Sequence, residues 1–591
     1  MENWQSHEPN PVQRVRMWYA LILILFGVFG IRLFYLQIIR YDHYKSMALS
    51  DQIREYDVMP ERGVIAAELN GQAIPLVLNQ KLYTVFADPN LVKKPDEVAR
   101  VIAPIIGGDE KKIADQLRTK KTRYVILKKK VTPEQNSKLL NLKLPGVASQ
   151  QVNYRVYPQG TMAAQVLGFV NDDGEGEYGL EQALNDTLGG QKGRLKAITD
   201  VNGVPLAASS DNLLIQPKAG SQVTLTLDMG MQTQVEQIVK AAQEKFSSKN
   251  VSAVVLETNT GAVKAMANYP TFDPVNYQNV EDGTVFQNYS VTNPIEPGSI
   301  TKIFTVAAAI DRGVVGAGTS YYDPGSWTID EAKILNVAEG TGTGTQTMKS
   351  LLNLSLNTGA TWTLMQMGGG KLNMQGRQAL YDYFVHRYRM SEKTGIEQGY
   401  EATGYVPEAD DTGAGINLTY ANMSFGQAYS ATAIQMGAAM SSIVNGGTFY
   451  QPRLVASETN PNGQTIIKAP KVLAKNVVSE KTSADMRGLL EYVTEAHTTG
   501  FPYMNFGSKY GVGGKTGTAQ IADEKTHVYR TDAFNGTFMG YVGGDKPQYT
   551  IVVYNIEPHG YGGYAGAQTG QPIFAQIAHM LINNYGVTPR T

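Results

Sequence analysis

Residues 296–302 read Glu-Pro-Gly-Ser-Ile-Thr-Lys, a proline-glycine turn followed by a serine and, three residues later, a lysine. The apolar run from Ile300 to Ile310 predicts a helix that begins at this turn. Ser299 then lies at the positive end of the helix dipole, and Lys302 shares its helix face. A buried lysine can lose its proton near neutral pH, so Lys302 can act as the base for the Ser299 hydroxyl. The alternative is an N-cap serine beside an exposed lysine, because Ser-x-x-Lys alone is weak evidence.

A serine and an asparagine two residues apart form a second short motif, Ser355-Leu356-Asn357. We expect this motif on a loop between helices, where a hydroxyl and an amide can point into one cleft. There the hydroxyl can relay a proton and the amide can hold a substrate amide. The same pattern occurs at residues 248–250, but that copy precedes Ser299 in a charged stretch. Taken singly, each copy is also compatible with a purely structural role.

The third motif is Lys515-Thr516-Gly517-Thr518, which follows two glycines. A strand edge with a lysine, two hydroxyls and a bare glycine can dock an extended peptide and bind its carboxylate. A second Lys-Thr-Gly lies at 393–395, but Ile-Glu follows it instead of a hydroxyl, and no paired strands come next. We therefore prefer Lys515. A phosphate-binding loop is excluded because the glycine that it requires is replaced by Lys509.

Apolar patterning around these motifs predicts a sheet flanked by helices. The predicted strands are 223–227, 251–256, 262–267, 536–542 and 549–555, and the predicted helices are 231–246 and 572–585. Strands come first, helices lie in the middle, and strands with a helix come last. This order favours an α/β (α+β) fold in which the two ends of the sheet meet. A domain boundary is predicted near residues 217–220.

Residues 45–215 are predicted to form short strands and turns with a few helices. Val125–Leu127 is a strand core that is surrounded by lysine and arginine residues. We interpret this basic cluster as the solvated face of a hairpin, with contact to anionic wall polymer or lipid headgroups as the alternative. The region contains no catalytic motif.

An apolar segment near the N-terminus predicts a membrane anchor. Met17–Ile31 carries no charge, and after Arg32 the apolar run continues to Ile39, about 23 residues in all and enough to cross a bilayer. A cleavable signal peptide is the alternative, but bulky residues follow without a small-x-small cleavage site. Flanking charges do not decide the orientation.

Composition excludes several classes of function. Lys plus Arg number 52 and Asp plus Glu number 53, so no bulk charge indicates binding to nucleic acid. The chain has no cysteine, which excludes disulfides, thiolate metal sites and a cysteine nucleophile. With 591 residues, 42% hydrophobic and 18% charged, it is an ordinary globular chain of two or three domains.

The three motifs in this order resemble the signature of penicillin-binding proteins and serine β-lactamases. From anchor to C-terminus, the chain is similar to a class B penicillin-binding protein, a monofunctional transpeptidase. Glu-Pro-Gly-Ser before the lysine is typical of that family. Further segments that resemble family elements are 62–65, 157–158, 176, 179–181, 394–396 and 445–447. One departure is at 67–71, where Ala-Glu-Leu-Asn-Gly replaces the usual Asp-Arg-Asn-Gly in the pedestal.

The resemblance implies a penicillin-binding-protein/β-lactamase-like transpeptidase domain, a mixed β/α N-terminal pedestal and a single transmembrane helix. The implied parts are a cytoplasmic tail (1–16), a transmembrane helix (17–39), a dimerisation-type pedestal (45–215) and a transpeptidase domain (216–591). The implied location is the bacterial cell membrane, with the catalytic domain outside the cytoplasm.

The resemblance also implies a mechanism on stem peptides that end in D-Ala-D-Ala. Ser299 would attack the carbonyl between the two D-alanines, and Lys302 would take its proton. The oxyanion would be held by backbone N–H groups of Ser299 and Thr518, and Ser355 would protonate the leaving D-alanine. Asn357 would hold the peptide, and the terminal carboxylate would be received by Lys515, Thr516 and Thr518, beside the bare Gly517. A neighbouring stem amine would then form the cross-link, without metal or organic cofactor.

The implied partners are peptidoglycan stem peptides, β-lactams and a membrane glycan polymerase of the shape-elongation-division-sporulation family. A β-lactamase would need a deacylating carboxylate, often in a Glu-x-x-Leu-Asn string, and the string of this kind at 181–185 precedes Ser299. A β-lactam sensor would need a cytoplasmic signalling domain, and the segment before Met17 is too short for one. Chain length and the modest pedestal favour a role in division, with elongation as the alternative.

Overall fold

The structure is a computed structural model that describes residues 11–44, 47, 53–198, 213–337, 341–523, 525–526 and 528–591. These residues belong to two compact units. One unit contains the chain up to Pro60 together with Gly190–Ala219, and the other contains Glu61–Gly189 and Gly220–Thr591. Residues 1–10 of the predicted cytoplasmic tail lie outside the described residues.

Strands occur in both units, and the longest ones lie in the second. In chain order the strands are β1 (Ile53–Val58), β2 (Ile65–Leu69), β3 (Gln72–Ala87), β4 (Val125–Val131), β5 (Val147–Val156), β6 (Phe169–Val170), β7 (Gly176–Glu177), β8 (Gly193–Ile198), β9 (Leu213–Ile215), β10 (Gln222–Asp228), β11 (Asn250–Glu257), β12 (Val263–Tyr269), β13 (Ser320–Asp323), β14 (Ser326–Ile329), β15 (Ala332–Leu335), β16 (Gly344–Thr347), β17 (Phe449–Tyr450), β18 (Val455–Thr459), β19 (Thr465–Ile467), β20 (Val472–Ala474), β21 (Gly511–Ala522), β22 (Tyr529–Gly543) and β23 (Pro547–Ile556).

Helices are concentrated between β12 and β21. In chain order the helices are α1 (Pro11–Phe34), α2 (Pro95–Ile106), α3 (Glu110–Arg118), α4 (Pro133–Asn141), α5 (Ala164–Leu167), α6 (Gly179–Ala183), α7 (Asn185–Gly189), α8 (Met229–Phe246), α9 (Tyr289–Thr292), α10 (Lys302–Asp311), α11 (Met348–Asn353), α12 (Asn357–Met367), α13 (Met374–Tyr381), α14 (Ile416–Met423), α15 (Ala433–Val444), α16 (Glu480–His497) and α17 (Gln571–Asn584).

The first unit contains α1 and a small antiparallel sheet with the strand order β1-β8-β9. Helix α1 has 24 residues, a length of about 36 Å, and continues as a π-helical turn over Tyr35–Ile39. Its apolar side chains are exposed, as expected for a segment that lipid would surround. Among the described residues it is the helix long and apolar enough to cross a membrane. The predicted helix at 17–39 is therefore confirmed as a candidate span.

The first large sheet of the second unit has the order β19-β18-β10-β2-β3-β4, and β5 pairs with the second half of β3. Strand β10 runs parallel to β2, with Val223 opposite Ile65, and antiparallel to β18. Strands from residues 61–189 and from residues 220–591 thus share hydrogen bonds in one sheet. This shared sheet explains why both segments belong to the same compact unit.

The segment from β3 to β5 has a hydrophobic core of its own. Helices α2, α3 and α4 contribute Ile102, Leu117 and Leu139, which pack against Val85 and Leu127 of the strands. The predicted strand at 125–127 is confirmed within β4. Helix α4 begins where Thr132 forms a capping box and Pro133 occupies the first turn, as expected for both residue types.

The basic cluster near β4 has acidic and carbonyl partners within the protein. Its ion pairs are Arg118 with Asp96 and Asp115, Arg123 with Asp88, and Lys129 with Asp172. Lys120 and Lys130 donate to backbone carbonyls. These contacts support the interpretation of the cluster as a solvated face.

The second large sheet is antiparallel with the order β12-β11-β23-β22-β21. Its first strand in the chain, β11, pairs with its last, β23, with Val254 opposite Val552, so the predicted meeting of the two ends is confirmed. Alternate residues face opposite sides: Val255 packs with α8 and α17, whereas Val254 joins the core that contains α10 and α15. Both faces are buried, which explains the nearly continuous apolar runs of these strands.

Candidate active site

Ser299 lies on a short 3₁₀ turn, Gly298–Thr301, that leads directly into α10. Gly298 has φ +66° in the left-handed region, and a Cβ atom on it would come within 2.6 Å of the Thr518 carbonyl oxygen. Only glycine fits such a position without strain. The turn is also held by a hydrogen bond of 3.0 Å from the Gly298 N–H to the carbonyl of Gly426. Ser299 itself is half-buried and therefore accessible.

The Lys302 amine is the centre of the site. Its Nζ lies 2.8 Å from Ser299 Oγ, 3.2 Å from Ser355 Oγ and 2.8 Å from Asn357 Oδ1. It also donates to the Ser355 carbonyl at 2.8 Å. The Lys302 side chain is fully buried. Burial first, and then the positive charge of Lys515, lower the pKa of Lys302 well below its usual value. A neutral amine in this position can accept the Ser299 proton.

Ser355 lies between α11 and α12, on the predicted loop between two helices. Its φ of +58° is unusual for a serine and turns the side chain toward Lys302. Asn357 begins α12, and both ends of its amide are engaged. Its Oδ1 accepts from Lys302, and its Nδ2 donates to the Leu335 carbonyl at 3.1 Å.

A buried polar network supports this loop, and sequence reasoning missed it. Thr358 Oγ1 donates to Asp323 Oδ2 at 2.6 Å, and the Thr358 N–H donates to Asn336 Oδ1 at 3.1 Å. Trp327 Nε1 donates to the Thr358 carbonyl at 3.0 Å. The network joins the hairpin of β14 and β15 to the start of α12. No spacing pattern marks these residues, because each contact spans more than twenty residues of sequence.

Lys515 lies on β21, the terminal strand of its sheet. Its side chain is fully buried, and its Nζ donates to the carbonyl and Oγ1 of Thr516 at 3.1 and 3.2 Å. Burial lowers the pKa of Lys515 to about 7. Thr516 and Thr518 are half-buried, whereas Gly517 between them is buried. A Cβ atom on Gly517 would lie 2.7 Å from the Pro297 carbonyl oxygen, so this glycine lets β21 approach the Ser299 turn.

Thr518 links β21 to two neighbouring segments. Its backbone N lies 3.1 Å from the position that a Cβ on Gly298 would occupy, beside the Ser299 turn. Its Oγ1 accepts from the Gly566 N–H at 3.0 Å. The structure therefore brings Ser299, Lys302, Ser355 and Asn357 into direct contact and places the edge of β21 beside them.

The second Lys-Thr-Gly is in a loop with a different role. Lys393 is exposed. The N–H and hydroxyl of Thr394 both donate to Glu401 Oε1 at 2.6 Å, and the Gly395 N–H donates to Glu401 Oε2 at 3.1 Å. These contacts satisfy a buried carboxylate and involve none of the residues around Ser299.

The Glu-x-x-Leu-Asn string also has a structural explanation. Glu181 is fully buried and forms ion pairs of 2.6 Å with Arg62 and 2.7 Å with Arg155. Asn185 Oδ1 accepts from the same Arg62 at 2.8 Å. A carboxylate held by two arginines is not available to activate a deacylating water.

Comparison with known proteins agrees with this geometry. The profile of the penicillin-binding protein transpeptidase domain matches residues 251–579, and that of the penicillin-binding protein dimerisation domain matches residues 57–225. Stage V sporulation protein D of Bacillus subtilis is 32% identical over 590 residues, which cover 98% of this chain and 87% of that protein. The probable peptidoglycan D,D-transpeptidase PenA of Neisseria meningitidis is 25% identical over 597 residues, or 98% and 93% of the two chains.

A solved structure is similar over nearly the whole length. Penicillin-binding protein 3 from Mycobacterium tuberculosis, complexed with aztreonam, matches with a TM-score of 0.66 and 25% identity, covering 90% of this chain and 98% of that one. The chain belongs to the penicillin-binding protein family, in the class B group that combines a dimerisation domain with a transpeptidase domain. The predicted family, fold and serine transpeptidase class are confirmed.

Proposed function

We propose that this protein is a membrane-anchored D,D-transpeptidase that cross-links peptidoglycan through an acyl-enzyme on Ser299. The observation that carries the proposal is the buried Lys302 amine, which contacts Ser299 Oγ, Ser355 Oγ and Asn357 Oδ1 together. Burial lowers the pKa of Lys302 and so favours the neutral amine that can take the proton from the Ser299 hydroxyl. The position of Ser355 provides a route for that proton to a leaving group.

In the first half-reaction, Ser299 Oγ attacks the carbonyl between the two terminal D-alanines of a stem peptide. Lys302 takes the hydroxyl proton as the new C–O bond forms. The backbone N–H groups of Ser299 and Thr518 stabilise the oxyanion, a contribution of about 3–4 kcal/mol for a donor of this kind. The C–N bond then breaks, and the proton passes through Ser355 to the leaving D-alanine.

The substrate is held along the edge of β21. Lys515, Thr516 and Thr518 receive the terminal carboxylate, and Asn357 holds the peptide backbone from the other side. Because the pKa of Lys515 is about 7 in the empty site, a bound carboxylate draws the amine to its charged form. Gly517 has no side chain to block an extended peptide.

In the second half-reaction, the amine of a neighbouring stem peptide attacks the acyl-enzyme. The ester bond breaks, an amide cross-link forms, and Ser299 recovers its proton. β-Lactams acylate the same serine through their ring carbonyl. Since Glu181 is committed to two arginines, the β-lactam acyl-enzyme is expected to be long-lived, which argues against the β-lactamase alternative.

The proposed organisation follows the sequence analysis: a tail at 1–16, a transmembrane helix at 17–39, a pedestal at 45–215 and a transpeptidase domain at 216–591. The N-terminus is placed in the cytoplasm, because peptidoglycan is assembled outside. The pedestal has its own hydrophobic core, unlike a flexible linker. It also exposes large apolar side chains, among them Leu91, Tyr124 and Leu140.

These features support docking of a membrane glycan polymerase of the shape-elongation-division-sporulation family on the pedestal. Leu140→Glu with Tyr124→Ala should reduce co-purification of that polymerase with the full-length protein. Ile467→Glu, at a highly exposed apolar residue of β19, is the control and should have no effect. Equal recovery of the polymerase with all variants would contradict docking on these residues.

A role in division is proposed over elongation, on the basis of chain length and the modest pedestal. A fluorescent fusion should therefore concentrate at the septum of dividing cells. Uniform labelling of the lateral wall would favour elongation.

The activity is tested with the full-length protein in lipid vesicles that contain nascent, uncross-linked glycan strands. The wild type should release D-alanine and produce dimeric muropeptides, and Ser299→Ala should produce neither. Dimers formed by Ser299→Ala at the wild-type rate would contradict the proposal.

A further inference from the structure

Glu296, three residues before Ser299, carries a carboxylate that is enclosed by hydrogen-bond donors. The Tyr529 hydroxyl lies 2.8 and 2.9 Å from its two oxygens, and the Ala428 N–H donates to Oε1 at 2.7 Å. Burial raises the pKa of Glu296, and no cation among the described residues offsets this. A partly buried carboxylate without a cation depends on such hydrogen bonds, so these contacts hold the group in one position.

The contacts of Glu296 join three segments around the nucleophile. The first is the turn that carries Ser299. The second is the segment 426–431, where Gly426 accepts from the Gly298 N–H and where Ala431 and Ile295 exchange backbone hydrogen bonds. The third is the start of β22, because Tyr529 is its first residue and pairs with Ala522 at the end of β21.

Strand β22 holds the Ser299 turn at two points. Tyr529 reaches Glu296 from one end of the strand, and Thr537 Oγ1 donates to the Pro297 carbonyl at 2.9 Å further along. Between these two points β22 pairs with β21, with Gly536 opposite Thr518. The position of Thr518 relative to Ser299 is therefore constrained by two contacts along β22, the strand that pairs with β21.

We propose that Glu296 and Tyr529 are positioning residues that set the distance between Ser299 and Thr518, and hence the geometry of the two oxyanion donors. The space between the Ser299 turn and β21 is narrow, because a single added Cβ atom on Gly298 would come within 2.6 Å of the Thr518 carbonyl oxygen. A displacement of about 1 Å in such a site can lower a rate by about a hundredfold. This inference rests on the proposed function, since it assigns a role only if Ser299 is acylated.

The test is the kinetics of acylation of the full-length protein by a fluorescent penicillin, measured over a range of concentrations. Tyr529→Phe and Glu296→Gln should each lower the saturating acylation rate by about tenfold, with an apparent Kd within about twofold of wild type. The double variant should lose no more than about tenfold, because both single changes act on the same contact: Tyr529→Phe removes its donor, and Glu296→Gln weakens its acceptor. Glu296→Ala should be slower than Glu296→Gln, since the amide retains one acceptor.

Tyr585→Phe is the matched control, because the Tyr585 hydroxyl accepts a hydrogen bond of 2.7 Å from Gln234 in another part of the unit. It should acylate within about twofold of wild type. The inference is overturned if Tyr529→Phe and Glu296→Gln match wild type, if the double variant shows the product of the two losses, or if the loss only follows a loss of folded protein seen by circular dichroism.

Ser299→Ala separates this inference from the proposed function. If Ser299→Ala abolishes labelling and Tyr529→Phe labels normally, only the positioning role is wrong. If Ser299→Ala is still labelled, the proposed function itself is wrong.

Discussion

The two Lys-Thr-Gly tripeptides of this chain have the same sequence and opposite environments. Lys515 is fully buried on β21, and the groups that its amine contacts belong to the adjacent Thr516. Lys393 is exposed, and the threonine and glycine that follow it surround the carboxylate of Glu401. In the first copy the polar groups remain available to a substrate, whereas in the second they are used to satisfy a buried charge.

The two tripeptides differ in which ionisable group is buried: the lysine itself in one, and a neighbouring glutamate in the other. At β21 the lysine itself is buried, and no carboxylate among the described residues pairs with it, so its pKa falls to about 7. In the 393–395 loop the buried ion is Glu401, and the backbone and hydroxyl donors stabilise it. The first arrangement costs stability and provides a functional group. The second contributes stability and provides none.

The largest expected effect is the pH dependence that buried lysines impose on acylation. Lys302 must be neutral to take the Ser299 proton, and its pKa is lowered by burial and by Lys515. Below that pKa the acylation rate should fall about tenfold per pH unit, hence about a hundredfold over two units. Above about pH 7 the rate should fall again as Lys515 loses the charge that binds carboxylate.

The measurement is the second-order rate constant of penicillin acylation across the pH range. Lys393→Ala serves as the control, and its profile should superimpose on that of wild type because Lys393 is exposed. A rate that shows no fall on the acid side, over the whole range in which the protein stays folded, would contradict a lysine base.

The next largest effect concerns the stability of the folded protein, to which the hydrogen bonds between the 393–395 loop and Glu401 contribute. Glu401→Ala removes the acceptor of three hydrogen bonds and leaves the two donors of the buried Thr394 without this partner. It should lower the free energy of unfolding by about 2–3 kcal/mol, seen as a lower midpoint of urea unfolding. The folded variant should acylate within about twofold of wild type.

Glu392→Ala is the control for that change. Glu392 and its ion-pair partner Arg389 are both partly exposed, so its loss should alter stability by less than about 1 kcal/mol. The comparison fails if Glu401→Ala is as stable as Glu392→Ala or if it abolishes acylation.

The smallest expected effect separates the two lysines directly. Lys515→Ala should slow acylation by at least about tenfold, or about 1.4 kcal/mol of transition-state stabilisation, because the substrate carboxylate loses its cation. Lys393→Ala should leave the rate constant nearly unchanged. The reverse pattern would mean that the active site uses the other copy.

Much of the catalytic sheet could be predicted from local pattern. The apolar runs of β11 and β23 identify strands without any knowledge of their neighbours, and the Ser-x-x-Lys spacing places two side chains on one helical face. The turn at Gly298 is likewise visible as Pro-Gly. These features depend on residues only a few positions apart.

The long-range contacts that position the active-site residues could not be predicted in this way. Glu296 and Tyr529 are 233 residues apart in sequence, and no periodicity joins them. The strands β13 and β16, Ser-Tyr-Tyr-Asp and Gly-Thr-Gln-Thr, lack the alternation that marks a strand. The positive φ of Ser355 depends on the elements packed around the loop rather than on its own residue type. The Glu296–Tyr529 contact, the pairing of β13 with β16 and the backbone conformation of Ser355 all depend on residues that are distant in sequence.

The central claim is that Ser299 is the nucleophile, and a covalent adduct tests it most directly. The full-length protein is incubated with a penicillin, digested, and mapped by mass spectrometry. The account predicts the penicilloyl mass on the peptide that contains Ser299, and no adduct with Ser299→Ala, because Lys302 Nζ lies 2.8 Å from the Ser299 hydroxyl. An adduct on Ser355, or one that survives Ser299→Ala, would contradict it.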